Sequence, residues 1–170
     1  MIAILHNIRS IYNVGSIFRT ADAAGIEKIY LCGITPAPTD EMGRPRQQLA
    51  KVSLGAEISV PWEAHTSAVR LIDTLKKRGY RILALEQSRK STSYYKLKTQ
   101  SSQLKAAVVV GNEVKGLPLS ILKRADKIIE IPMRGAVVRQ ARHPRRTHRG
   151  KESLNVSVAF GIVAFQMMHG

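Results

Sequence analysis

Short apolar runs alternate with longer stretches in which apolar residues recur every three to four positions. Residues 2–5, 28–32, 80–85, 106–110 and 127–131 are continuous or nearly continuous apolar runs and predict buried strands, with a weaker strand at 58–60. Residues 14–24 place Val14, Ile17, Phe18 and Ala21 on one helical face, with Gly25 as the stop. Residues 63–78 repeat the pattern through Val69, Ile72 and Leu75. Lys76, Lys77 and Arg78 suit the carboxyl end of that helix dipole, and Gly79 closes it. Shorter helices are expected at 47–52 and 118–124. The helix at 153–168 is apolar nearly all round and is expected to be buried. Pro36, Pro38, Gly43 and Pro45 make 33–46 a loop, and 87–103 is a polar connection. Strands alternating with helices imply βαβ units, hence a parallel α/β sheet with helices on both faces.

The chain has 170 residues without an internal repeat or linker, so one domain spanning 1–170 is expected. Hydrophobic residues at 44% and charged residues at 23% exclude wholesale disorder. Lys and Arg number 27 against 12 Asp and Glu, a formal charge of +15, which predicts attraction to polyanions, nucleic acid foremost. The single cysteine, Cys32, permits neither an internal disulfide nor a cysteine zinc site and fits a reducing, cytoplasmic setting. No apolar run reaches the ~20 residues of a membrane span, and the amino terminus lacks signal-peptide features. One segment departs from the pattern: residues 136–150 hold Arg139, Arg142, Arg145, Arg146 and Arg149 and no acid, and are expected to form a mobile basic arm.

In a parallel α/β sheet, ligands sit beyond the carboxyl ends of the strands. Three loops there carry polar chemistry. The first, after strand 2–5, runs through Asn13, read as the cap of the next helix, to Arg19, placed one turn in, where spacing alone slightly favours a surface salt bridge over bidentate contact with a phosphate or carboxylate. The second, Gly111-Asn112-Glu113-Val114-Lys115-Gly116-Leu117-Pro118, has the glycine spacing of a phosphate loop, but Leu117 and Pro118 stand where Lys and Ser or Thr would be required. Taken alone, the loop reads equally as a tight turn with a solvated Glu113 or as one whose glycines let Glu113 lie close to a ligand. The third opens helix 153–168 with Ser153 and Asn155 as capping residues. No dinucleotide fingerprint follows any strand, and the five histidines lack metal-ligand spacing, so no metal is expected.

Together these loops resemble the three motifs of the SpoU (TrmH-type) RNA 2′-O-ribose methyltransferases of the SPOUT superfamily. The first is matched by Asn7-Ile8-Arg9-Ser10-Ile11-Tyr12-Asn13-Val14-Gly15-Ser16-Ile17-Phe18-Arg19-Thr20-Ala21. The second is matched by Val110-Gly111-Asn112-Glu113-Val114-Lys115-Gly116-Leu117. The third is matched by Ile131-Pro132-Met133 and then Ser153-Leu154-Asn155-Val156-Ser157-Val158-Ala159. The resemblance implies a carboxyl-terminal trefoil knot, a homodimer, S-adenosylmethionine as cofactor and tRNA or rRNA as substrate. It assigns cofactor contacts to Leu85, Gly111, Ile131, Ser153 and Leu154. Arg19 matches the family's catalytic arginine, and Asn13, Glu113, Ser153 and Asn155 match its supporting polar residues. Arg19 would act either as the base for the ribose 2′-hydroxyl or as the group that orients phosphate and stabilises the developing alkoxide.

Two departures matter. The first strand starts almost at residue 1, so the additional amino-terminal RNA-binding domain of some relatives is not expected. The third motif is interrupted: joining Gly135 to Lys151 would restore the ordinary family spacing, so the resemblance makes 136–150 an insertion inside the knot-forming, cofactor-binding loop. The alternative function is therefore a catalytically impaired RNA-binding protein of the same fold. An unrelated nucleotide-binding α/β protein is the third reading, and its motifs are missing. With only 5% aromatic residues, folded RNA read by shape and phosphate contacts fits better than a base-stacking platform for single strands.

Overall fold

The β-rich apolar runs pair side by side because each is buried on both faces, which is what a parallel sheet demands. In the computed structural model, which describes residues 1–97, 105–133 and 153–170, seven strands form one parallel sheet. They are β1 (Ile2–His6), β2 (Lys28–Cys32), β3 (Trp62–His65), β4 (Arg81–Leu85), β5 (Thr92–Ser93), β6 (Ala106–Val110) and β7 (Lys127–Glu130), in spatial order β3-β2-β1-β6-β4-β7-β5. Every pairing is parallel, with Leu5 opposite Val110 and Leu85 opposite both Val110 and Ile129.

Strand periodicity divides the core in two. Ala3, Leu5, Ile29, Leu31, Leu83, Val108, Val110 and Ile129 face α1 (Ile11–Ala24), α2 (Gln47–Ser53), α3 (Ala56–Ser59) and α6 (Val156–His169). Ile2, Ile4, Tyr30, Cys32, Ile82, Ala84, Ala107 and Val109 face α4 (Ala68–Lys77) and α5 (Leu119–Leu122). Among the described residues, no helix is long and apolar enough to cross a membrane.

Several local expectations need correction. Helix α1 begins three residues before position 14, because Ser10, not Asn13, is its cap: the Ser10 hydroxyl accepts the Asn13 N–H. Residues 58–60 close the short helix α3, and the strand is Trp62–His65. That removes Glu63 from the helix expected at 63–78, which starts after Ser67 accepts the Arg70 N–H. Edge strand β5 lies within the polar connection, too short to leave an apolar signature. Finally, α6 is not wholly buried: Phe160, Val163 and Ala164 face the core while Val158 and Phe165 are about half exposed. The basic segment 136–150 lies outside the described residues.

Candidate active site

Strands β4, β6 and β7 are neighbours, so their carboxyl ends open onto one space. There, Leu85, Val110, Gly111, Glu130, Ile131 and residues 153–156 line a cavity of about 440 Å³, within the ordinary range of small-molecule sites. All five residues assigned to the cofactor line it: Leu85 ends β4, Gly111 follows β6, Ile131 follows β7, and Ser153 and Leu154 precede α6. Glu113 and Asn155 line it too.

The loop after β6 is shaped by close backbone packing. A Cβ at Gly111 would stand 2.7 Å from the carbonyl carbon of Gly116, so nothing larger than glycine fits. Gly116 has φ +64° and lies against the Glu86 carboxylate, leaving no room for a side chain. Glu86, which no sequence motif marked, holds this loop: its Oε2 accepts the Leu117 N–H at 2.7 Å. Its place directly after β4 is the one signal that could have identified it.

Glu113 leaves the same loop in the opposite direction. Its Oε2 accepts the Arg9 N–H at 3.1 Å and its Oε1 accepts the Ser10 N–H at 3.1 Å. Asn13 Nδ2 donates to Oε1 at 3.0 Å, and Asn155 Nδ2 donates to Asn13 Oδ1 at 3.1 Å. Asn155 in turn caps α6, its Oδ1 accepting the Ser157 N–H at 2.9 Å. Three segments far apart in the chain are thus joined by one hydrogen-bonded line, Asn155 to Asn13 to Glu113. Partial burial pushes the Glu113 carboxyl upward, but the N–H groups of Arg9 and Ser10 and the Asn13 amide outweigh it and hold its pKa below the usual carboxylate range. Asn13 therefore acts as a connector within the first turn of α1 rather than as its cap, and Ser153 lines the cavity without capping α6.

A second anchor was not visible in sequence. Thr35, buried in the loop after β2, accepts the Ile8 N–H, and Asn7, at φ 55°, accepts the Ile34 N–H. Asn112 Nδ2 donates to the Asn7 carbonyl at 2.8 Å. The loop after β1 is fixed from both sides.

Arg19 is not brought into this cavity. It is exposed on α1, nine residues past the Ser10 cap, about 13 Å along the axis rather than one turn in. It makes no hydrogen bond or ion pair among the described residues. Tyr12, also exposed, lies seven residues before it on the same stripe.

The model of the SpoU rRNA methylase family matches residues 1–138 of this chain. The chain belongs to the SpoU rRNA methylase family. It is 31% identical over 163 residues to the 23S rRNA (guanosine-2′-O-)-methyltransferase RlmB of Neisseria meningitidis, an alignment covering 96% of this chain and 56% of that protein. It therefore spans a little over half the length of this SpoU relative. Among solved structures, it superposes with a TM-score of 0.77 on the A. aeolicus TrmH/SpoU tRNA modifying enzyme, at 27% identity over 98% of this chain and 73% of that one. With the AdoMet-bound rRNA methyltransferase of Sinorhizobium meliloti the TM-score is 0.79 at 25% identity, covering 98% and 54%.

Proposed function

We propose that this chain is an S-adenosylmethionine-dependent methyltransferase acting on the ribose 2′-hydroxyl of tRNA or rRNA. The observation that carries the reading is the hydrogen-bonded line from Asn155 through Asn13 to Glu113, which ties the first motif segment to the two that line the cavity. The relatives named for RNA methyl transfer and the AdoMet-bound neighbour support it.

The cavity suits the cofactor. Its apolar wall (Leu85, Ile131, Leu154) accommodates an adenine ring, and the cramped Gly111–Gly116 backbone allows close approach without side chains intervening. Leu85, Gly111, Ile131, Ser153 and Leu154 would hold it. When bound, it supplies an electrophilic methyl group on a sulfonium. The protein's task is then to align the ribose hydroxyl and manage one proton. Glu113 fixes the backbone of residues 9–10, so the segment leading into α1 is rigid where the RNA would enter. Arg19 offers a planar fork for a phosphate, or positive charge for the developing alkoxide.

The half-exposed apolar face of α6, with Val158 and Phe165, supports a homodimer, because apolar side chains grouped on one helix face favour a protein partner. The whole of 1–170 reads as a single SpoU-type domain with the family's knot in its carboxyl-terminal part. Transfer of tritiated methyl from S-adenosylmethionine to unmethylated tRNA and rRNA, with nuclease mapping, is the test. A 2′-O-methylated nucleotide is the expected product. Cofactor and RNA binding without transfer would favour the impaired RNA-binding alternative.

A further inference from the structure

At the amino ends of the strands whose carboxyl ends form the cavity lies a dense group of basic side chains. Hydrogen bonds hold its parts together. The Arg81 N–H donates to the Lys105 carbonyl, joining the starts of β4 and β6, and the Ile82 N–H donates to Asp126, which precedes β7. Lys76 near the end of α4 donates to Asp126 and to the Arg124 carbonyl, and Arg124 pairs with Asp73. These pairs use the two acids of the region. Lys77, Arg78, Arg81, Lys105, Lys123 and Lys127 are left without an ion pair among the described residues. The segments outside the described residues contain a single acid, Glu152. Lys77 and Arg78 complement the α4 dipole, but Arg81, Lys105 and Lys127 start strands and gain nothing from it. Like charges gathered this way repel one another, and a polyanion would relieve that repulsion.

We propose that this patch docks the phosphate backbone of a folded RNA at a distance from the nucleotide being methylated. The proposal rests on the RNA methyltransferase reading above. Four residue steps along β4 carry the chain from Arg81 to Leu85 at the cavity, about 13 Å. An RNA touching both must extend at least that far from the modified nucleotide, which fits a substrate with helical arms and not a short single strand. Recognition there is by phosphate and shape, without base reading. Few aromatic side chains accompany the charges: Tyr80, with Lys105 over its ring at 6.0 Å, is the neighbour.

The test combines Lys77→Gln, Arg78→Gln, Lys105→Gln and Lys123→Gln in the full chain and measures filter binding of an unmodified tRNA transcript across a salt series. The apparent Kd is expected to rise about tenfold or more, and the salt slope to flatten by about three, roughly 0.7–0.9 for each of the four charges removed. S-adenosylmethionine affinity stays at the wild-type value, and the melting temperature falls by only a few degrees, about what losing the two charges at the end of α4 costs. Lys77→Arg with Lys105→Arg and Lys123→Arg retains the wild-type slope. An unchanged slope in the Gln variant overturns the proposal, as does an equal loss in the Arg variant. Sedimentation with phosphatidylglycerol vesicles adds a further arm: vesicle binding lost in the Gln variant while the RNA slope is unchanged overturns it in favour of a lipid surface. A wild-type chain that binds the transcript with the steep slope yet transfers no methyl fails the methyltransferase reading and supports the patch.

Discussion

At the carboxyl ends of β4, β6 and β7, three carboxylates, Glu86, Glu113 and Glu130, line one cavity, whereas the amino ends of the same strands carry Arg81, Lys105 and Lys127. Three of the twelve acids in a protein with a formal charge of +15 thus stand at the cavity end. Two of the three accept backbone N–H groups: Glu86 from Leu117, and Glu113 from Arg9 and Ser10. Acids at the other end, Asp73 and Asp126, pair with individual cations and leave the rest without an ion pair among the described residues. One end is organised by short-range, directional bonds. The other acts through summed charge, which works at longer range and is screened by salt.

The sharpest way to break this division is Arg19→Ala. Arg19 is proposed for the chemistry on its motif but stands outside the cavity. Methyl transfer is expected to fall on the order of a thousandfold, as for loss of a group that stabilises developing charge, while calorimetry returns wild-type cofactor affinity. Arg19→Lys is expected to fail as well, since an ammonium does not reproduce the planar fork. Normal turnover in either variant would remove Arg19 from the chemistry.

Next in size is Gly116→Ala. The left-handed backbone and the adjacent Glu86 carboxylate leave the methyl group no space. Cofactor affinity is expected to weaken at least about tenfold, near 1.4 kcal/mol, without change in the salt slope of RNA binding. A change in that slope would show that the two ends are coupled.

Glu113→Gln keeps one acceptor oxygen but loses the charge. Turnover is expected to fall about tenfold, in line with one weakened charged hydrogen bond of ~1.5 kcal/mol. The folded pKa of Glu113 lies below its ordinary value of 4.5. Its ionised form therefore stabilises the fold fully above that value, and the contribution is lost as pH falls through the depressed folded pKa. Melting curves of wild type and variant should differ at neutral pH and converge in acid. A gap that persists unchanged into strong acid would contradict this.

The smallest effect on function belongs to the amino end. Asp126→Ala removes the acceptor of the Ile82 N–H and the partner of Lys76. Lys76 and Asp126 are partly exposed and screened, but Ile82 is buried and its N–H loses its acceptor, so a loss of about 1–2 kcal/mol, at roughly 2–4 °C in melting temperature per kcal/mol, is expected. Cofactor affinity is expected to hold and RNA binding to tighten slightly, because one negative charge leaves the patch. Weaker RNA binding would mean that Asp126 positions the basic side chains instead of diluting them.

Much of this was readable from residue order. The apolar runs fixed β1, β2, β4, β6 and β7 to within a residue or two, because burial on both faces leaves an uninterrupted hydrophobic signature. The edge strands escaped: β3 carries Glu63 and His65, and β5 has two residues, so neither is apolar enough to stand out. Helix α6 misled for the opposite reason, since its apolar face toward solvent reads in sequence like a second buried face.

The site divides along the same line. Residue order determined the strand-then-polar-loop pattern that marked Asn13, Glu113, Ser153 and Asn155, and the glycines at 111 and 116 that a crowded backbone requires. It also determined the excess of positive charge, though not its location. Only the tertiary structure decided that Glu113 would bridge to Arg9, Ser10 and Asn13 from a distant part of the chain, that Glu86 would pin Leu117, and that Lys105 would meet Arg81. Periodicity and capping are local properties carried by neighbours in the chain. A hydrogen bond between distant segments depends on which strands the sheet sets side by side, and that order, with β6 between β1 and β4, follows from packing the whole chain at once.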